Sequence, residues 1–225
     1  MTMPNWLKKL HLNRTLTVVA TVAALVGAGI TAAAMVLFQK PATPASVTIA
    51  VVGDSYAAGR LNRVVWPTLL AQRTGWSVSN FALPGSGFAA DGPGGYAFTW
   101  QVDRALAANP HTVLIAGGVD DGGFSGTGNI TQGAVDAINK VIRAGKQVLV
   151  MGPIWWGLPV PPTVTGISDE IQKATEQADV PFLNTLDPPW LGPDQMLADK
   201  SGPNDDGQSM IADKVAAWVR TEVKP

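Results

Sequence analysis

From about residue 47 onward the chain alternates short apolar runs with amphipathic stretches. SVTIAVV (46–52) is β-branched and apolar without helical spacing, the pattern of a strand buried on both faces. WSVSNFA (76–82), HTVLIAG (111–117), KQVLVMG (146–152) and VPFLNT (180–185) read as four further strands. Between them lie helical periodicities: 56–75, where Pro67 must kink or split the helix, then 97–110 and 130–145, with Gly145 as a stop. Two more follow at 167–178 and about 206–222, where Asp206 is the expected cap. Strand and helix in strict alternation predict a three-layer α/β/α domain around a parallel five-stranded sheet.

Ahead of that domain the pattern changes. Residues 1–14 carry Lys8, Lys9 and Arg14, and residues 15–38 carry no charge at all. As a helix that run spans about 36 Å, enough for a hydrocarbon core of about 30 Å. Basic residues before it place the N-terminus in the cytoplasm and the remainder outside. The expectation is a cytoplasmic tip (1–14), a single-pass signal anchor (15–38), a Pro-containing tether (39–46) and an extracytoplasmic domain (47–225) in the cell membrane. Ala32-Ala33-Ala34 keeps open the alternative of a cleaved signal and secretion.

Composition narrows the chemistry. Hydrophobic residues make up 46% of the chain, enough for a core, and the net charge of −1 argues against nucleic acid as a partner. No Cys is present, which removes disulfides, thiolate zinc sites and a Cys nucleophile. The two His, His11 and His111, exclude a His-rich metal site; neither a metal nor a cofactor is expected. His111 opens a strand at the end of the sheet away from the expected site and reads as a surface residue.

In open α/β sheets ligands bind beyond the carboxyl ends of the strands. The loops leaving those ends are rich in Gly and Pro: GDSYAAG, LPGSGFAADGPGG, GGVDDGGFSGTG and PIWWGLPVPPTVTG. Gly53-Asp54-Ser55 directly follows the first strand, where a serine hydroxyl is exposed on a tight turn and the helix N-terminus offers N–H groups to an oxyanion. The competing reading is a simple helix cap. Trp155 and Trp156 after the fourth strand and Trp190 in DPPWLGPD either line a ligand pocket or roof the core. Trp66, Trp76, Trp100 and Trp218 read as packing residues, and Asp103, Asp136 and Glu170 as helix surface. Asn129-Ile130-Thr131 matches a glycosylation sequon but reads better as a helix start capped by Asn129.

Four short motifs, in order and at strand ends, resemble the SGNH (GDSL-type) hydrolases. They are Gly53-Asp54-Ser55, Asn80 with Gly85 five residues on, Gly118-Val119-Asp120-Asp121, and Asp199 through Gly202 before the last helix. The resemblance covers roughly residues 47–222. It implies Ser55 as nucleophile, with the N–H groups of Ser55 and Gly85 as oxyanion donors and Asp199 as the partner of a catalytic His; Asp54, next to the nucleophile, is expected to bind substrate. Two positions depart from it. Asp120 stands where the family has an oxyanion Asn: ionised it would repel the oxyanion, protonated it could donate to it. Gly202 stands where the family has the His, leaving Asp199, Asp205 or Asp206 as the acids near the gap. Three readings stay open: an esterase or acyl-transfer enzyme for envelope glycan or lipid esters with atypical or impaired machinery, a silent relative that binds an acylated or glycosidic ligand, and an ordinary esterase into which Gly202 was introduced. The second departure, Asp120, counts against the last.

Overall fold

The computed structural model describes residues 47–123 and 128–223. Five strands form one sheet in the order β2-β1-β3-β4-β5, every neighbouring pair parallel. They are β1 Thr48–Gly53, β2 Ser77–Asn80, β3 Thr112–Ala116, β4 Gln147–Met151 and β5 Phe182–Leu183. The helices are α1 Ser55–Ala58, α2 Trp66–Thr74, α3 Phe98–Ala107, α4 Gly128–Arg143, α5 Pro162–Ala178 and α6 Asp205–Glu222. The α/β/α layering expected from the alternation is present.

The central strands read as unbroken apolar runs because both faces are covered. Ile49, Val51, Leu114, Leu149 and Met151 point to one side, where Ile211, Val215 and Val219 of α6 close a core with Trp66 and Leu70 of α2. Ala50, Val52, Val113, Ile115, Val148 and Val150 point to the other, against Phe98 and Val102 of α3, Ile138 and Val141 of α4, and Ile167 and Ile171 of α5. Each fully buried Leu, Ile or Val contributes roughly 1.5–3 kcal/mol, so the two half-cores fix the register from which the strand ends project their loops.

Several boundaries differ from the sequence expectation. The 56–75 helix is split: α1 ends after one turn at Gly59, and Pro67 lies in the first turn of α2, where its missing N–H has no partner to lose. β5 is two residues rather than six, and α5 starts at Pro162, five residues early. Asp206 is not the cap of α6; Asn204 holds the extended conformation a cap requires and accepts from the Gly207 amide at 2.9 Å. Asn129 lies inside the first turn of α4 rather than ahead of it. Trp100 is not a core residue; it is 37% exposed and packs on the surface against Tyr96, the two rings tilted by 36° with centroids 4.2 Å apart. Glu170 is not plain surface either, since it accepts from the Thr131 hydroxyl across the α4–α5 seam and pairs with Lys173. The expected anchor at 15–38 lies outside the described residues, among which no helix is long and apolar enough to cross a membrane.

Candidate active site

All three Gly-rich loops after β1, β2 and β3 meet at Ser55. β1 ends at Gly53, and Asp54 caps α1 through the Tyr56 amide at 2.9 Å, which puts Ser55 at the first helical position. The Ser55 hydroxyl accepts from the Gly85 amide at 2.9 Å and donates to Asp120 Oδ2 at 2.7 Å. The same Asp120 oxygen accepts from the Ser55 amide at 3.0 Å. Gly85 aims its N–H at the serine from a left-handed backbone (φ 75°), which glycine adopts without strain.

Two other aspartates lock these loops and take no part in that contact. Asp54 is 2% exposed, and besides its cap its second oxygen accepts from the Gly118 and Val119 amides at 3.0 and 3.2 Å. Burial, with the Asp120 charge adding, pushes its carboxyl up to about 7, against the pull of those three amides. The chain must be Gly at 117, where a Cβ would lie 2.2 Å from the Asp54 carboxylate and φ is 133°. Asp121 is buried and accepts from the consecutive amides of Phe88, Ala89 and Ala90 at 2.8–2.9 Å. Burial pushes its carboxyl up as well, opposed by those bonds. Asp54, expected beside the ligand, is therefore a buried brace between loops.

A cavity of about 340 Å³ opens beside Ser55, bordered by Arg60, Asn62, Leu197, Ser201, Gly202 and Pro203. A Cβ built on Gly202 would meet nothing within 4 Å, and its backbone is not left-handed. The position that would carry the imidazole is thus open space facing the nucleophile. Asp199 does not point into it. Its Oδ1 accepts from the Ser201 amide at 3.0 Å and hydroxyl at 2.6 Å, and Oδ2 lies 3.5 Å from Arg60. The Ser201 bonds, with Arg60 assisting, hold that exposed carboxyl below the usual range. The carboxylate that reaches the serine hydroxyl is Asp120 rather than one of the acids near the gap. Asp205 is likewise engaged, accepting from the Arg63 amide at 3.0 Å.

Of the two readings for the loop tryptophans, packing on the core describes Trp156 and Trp190. Trp155, Trp156 and Trp190 do not border the Ser55 cavity; Trp156 and Trp190 pack against the core beside α6, and Trp155 stacks on Trp156 at 5.9 Å. The aromatic beside the site is Tyr96, on a second cavity of about 230 Å³ lined mainly by Leu83, Pro84, Asp91 and Pro93. Pro84 borders both cavities. Arg60, Asn62 and Tyr96 were not singled out from sequence, and only their place in loops leaving strand carboxyl ends pointed to them. Asn62 ties the α1–α2 loop to the loop before α6, donating to the Pro203 carbonyl at 2.9 Å. Among the described residues no group of metal-ligating side chains is assembled.

Comparison with known proteins establishes the family and supports the fold. GDSL lipase Rv0518 of Mycobacterium tuberculosis is 25% identical over 190 residues, covering 78% of this chain and 82% of that protein. The structure of TesA superposes with a TM-score of 0.66 at 21% identity, covering 78% of this chain and 99% of the other. The psychrotrophic esterase EstA from Pseudoalteromonas, solved with monoethylphosphonate, gives 0.60 at 21% identity over 78% and 97%. The model of the GDSL-like lipase/acylhydrolase family matches residues 51–210, a span that takes in each of the loops meeting at Ser55, so the chain belongs to that family.

Proposed function

We propose that this chain is a membrane-anchored, extracytoplasmic serine ester hydrolase or acyl-transfer protein of low turnover, with Ser55 as nucleophile and envelope glycan or lipid esters as ligands. One observation carries the reading. The Ser55 hydroxyl keeps a backbone donor on one side, Gly85, and gains a hydrogen-bond acceptor on the other, Asp120 Oδ2 at 2.7 Å. The two cavities that meet at Pro84 suit an ester with unlike ends: Arg60, Asn62 and Ser201 offer polar contacts to a glycan or headgroup, and Leu83, Pro93 and Tyr96 an apolar wall for a short acyl chain. Low turnover follows from the open space at Gly202, because losing a triad member costs about 10⁴–10⁶ in rate. The outward-facing location rests on the uncharged run 15–38 and the basic residues before it.

A second reading, silent binding of the same ligands, is favoured by the Asp199 carboxylate turned onto Ser201 and Arg60. Hydrolysis of p-nitrophenyl acetate by the full chain and by Ser55→Ala separates the two. Slow release that disappears in Ser55→Ala supports the hydrolase. Equal rates overturn it, and an acylated glycan or lipid then recovered by native mass spectrometry supports the binder.

A further inference from the structure

We infer that Asp120 performs both functions whose usual side chains this chain lacks, first taking the Ser55 proton and then, as the neutral acid, donating a hydrogen bond to the oxyanion. This rests on the reading of Ser55 as nucleophile. The geometry that points to it is the double use of one oxygen. Asp120 Oδ2 accepts the Ser55 hydroxyl at 2.7 Å, within the range for proton transfer, and accepts the Ser55 amide at 3.0 Å. That amide is the donor a carbonyl oxygen of a bound ester would face, so Oδ2 borders the place where negative charge develops. None of the ion pairs among the described residues involves Asp120.

The sequence of bonds closes on itself. The Ser55 O–H bond breaks, its proton passes to Oδ2, and the freed electron pair forms the bond from Oγ to the acyl carbon. The carbonyl π pair moves to oxygen. The Asp120 carboxyl, now neutral, no longer repels that oxyanion but donates to it, together with the Gly85 N–H that pointed at Oγ. On collapse the carbonyl re-forms, the ester C–O bond breaks, and the Asp120 proton moves to the departing alkoxide. Water enters through the cavity left open at Gly202, gives a proton to the regenerated Asp120 carboxylate and adds to the acyl carbon. Return of that proton to Ser55 releases the acid. Ester and water become acid and alcohol, and no outside reactant is needed.

The test is the rate at which a fluorophosphonate phosphonylates Ser55 in the full chain, followed by intact-protein mass spectrometry. The phosphonyl oxygen occupies the oxyanion position, so one probe reports both functions. Removing a general base lowers such rates by about 10²–10⁴. Asp120→Asn is therefore expected to label at least about 100-fold more slowly than wild type. Adding Gly202→His to Asp120→Asn restores the conventional pair and is expected to recover the rate, which also shows that Asp120→Asn is folded. Labelling of Asp120→Asn as fast as or faster than wild type overturns the inference and makes Asp120 an obstruction in the oxyanion position. Absence of labelling in wild type with labelling in the double variant overturns it as well, while leaving Ser55 as the nucleophile. Absence in wild type and double variant alike overturns the nucleophile reading itself.

Discussion

Asp54 gives the domain an unusual pH dependence. Its carboxyl moves from 3.8 unfolded to about 7 folded, because burial removes the charged form from water and the Asp120 charge repels it. Between those two values the folded state binds more protons than the unfolded state, so stability declines as pH rises from about 4 to 7 and levels off above. The shift corresponds to at most about 4 kcal/mol. Asp121, also raised by burial, adds to the slope with the same sign. The lowered carboxyl of Asp199 acts only as pH falls below about 3.8, and that of Glu170, ordinarily at 4.5, opposes the slope only at the acid edge of this window. Urea unfolding followed by Trp fluorescence at pH 4.5 and 7.5 measures the difference, and wild type is expected to be the more stable at 4.5. Asp54→Asn should flatten the slope, at a lower absolute stability, since its one carbonyl oxygen cannot serve the Tyr56 amide on one side and the Gly118 and Val119 amides on the other. Asp120→Asn should flatten it in part by removing the repelling charge. A wild type that gains stability between pH 4.5 and 7.5, or an Asp54→Asn variant that keeps the full slope, refutes the reasoning.

Two substitutions test the scaffold around the site. Asp121→Ala leaves the amides of Phe88, Ala89 and Ala90 without their acceptor, at about 1–3 kcal/mol for each that stays buried, and chemical denaturation should show a loss of several kcal/mol. Asn204→Ala removes the α6 cap and the bond to the Asp194 carbonyl, and should lower stability by about 1–2 kcal/mol with a matching fall in Tm.

The parts of the fold legible in the sequence are those decided by burial on both faces. The runs at 46–52, 111–117 and 146–152 could be little else than central strands, and their residues divide between the two cores in strict alternation. The edge was less legible: β5 pairs through two residues, and beyond it side chains take over from the ladder, the Leu186 amide donating to the Asn184 side chain and the Thr185 hydroxyl to the Pro153 carbonyl. Asn204 and Asp206 are chemically equal candidates for a cap, and the choice was made by backbone angles following Pro203 that no side chain announces. At the site, motif spacing located Ser55, Gly85, Asp120 and Gly202 on the correct loops. What spacing could not give was direction. Asp199 and Asp120 are both aspartates near the serine in the fold, and only the folded loops turn one onto Arg60 and the other onto the hydroxyl. For the same reason a Pro-rich loop carrying Trp155 and Trp156 did not reveal which way its rings face.

The grip of Asp121 on three consecutive amides divides the loop after β2 into halves with different lifetimes. Opening residues 88–90 requires breaking three charge-assisted bonds in a buried setting, so their amide hydrogens should exchange with solvent only when the whole domain opens. The next stretch, Pro93 to Tyr96, is solvent-facing, carries two glycines with positive φ and is held by the Tyr96 amide on the Asp91 carbonyl rather than by a buried carboxylate, so its amides should exchange sooner. The seam between the halves falls at Asp91, on the rim of the apolar cavity. The outer wall of that cavity should therefore exchange its amide hydrogens well before residues 88–90 do.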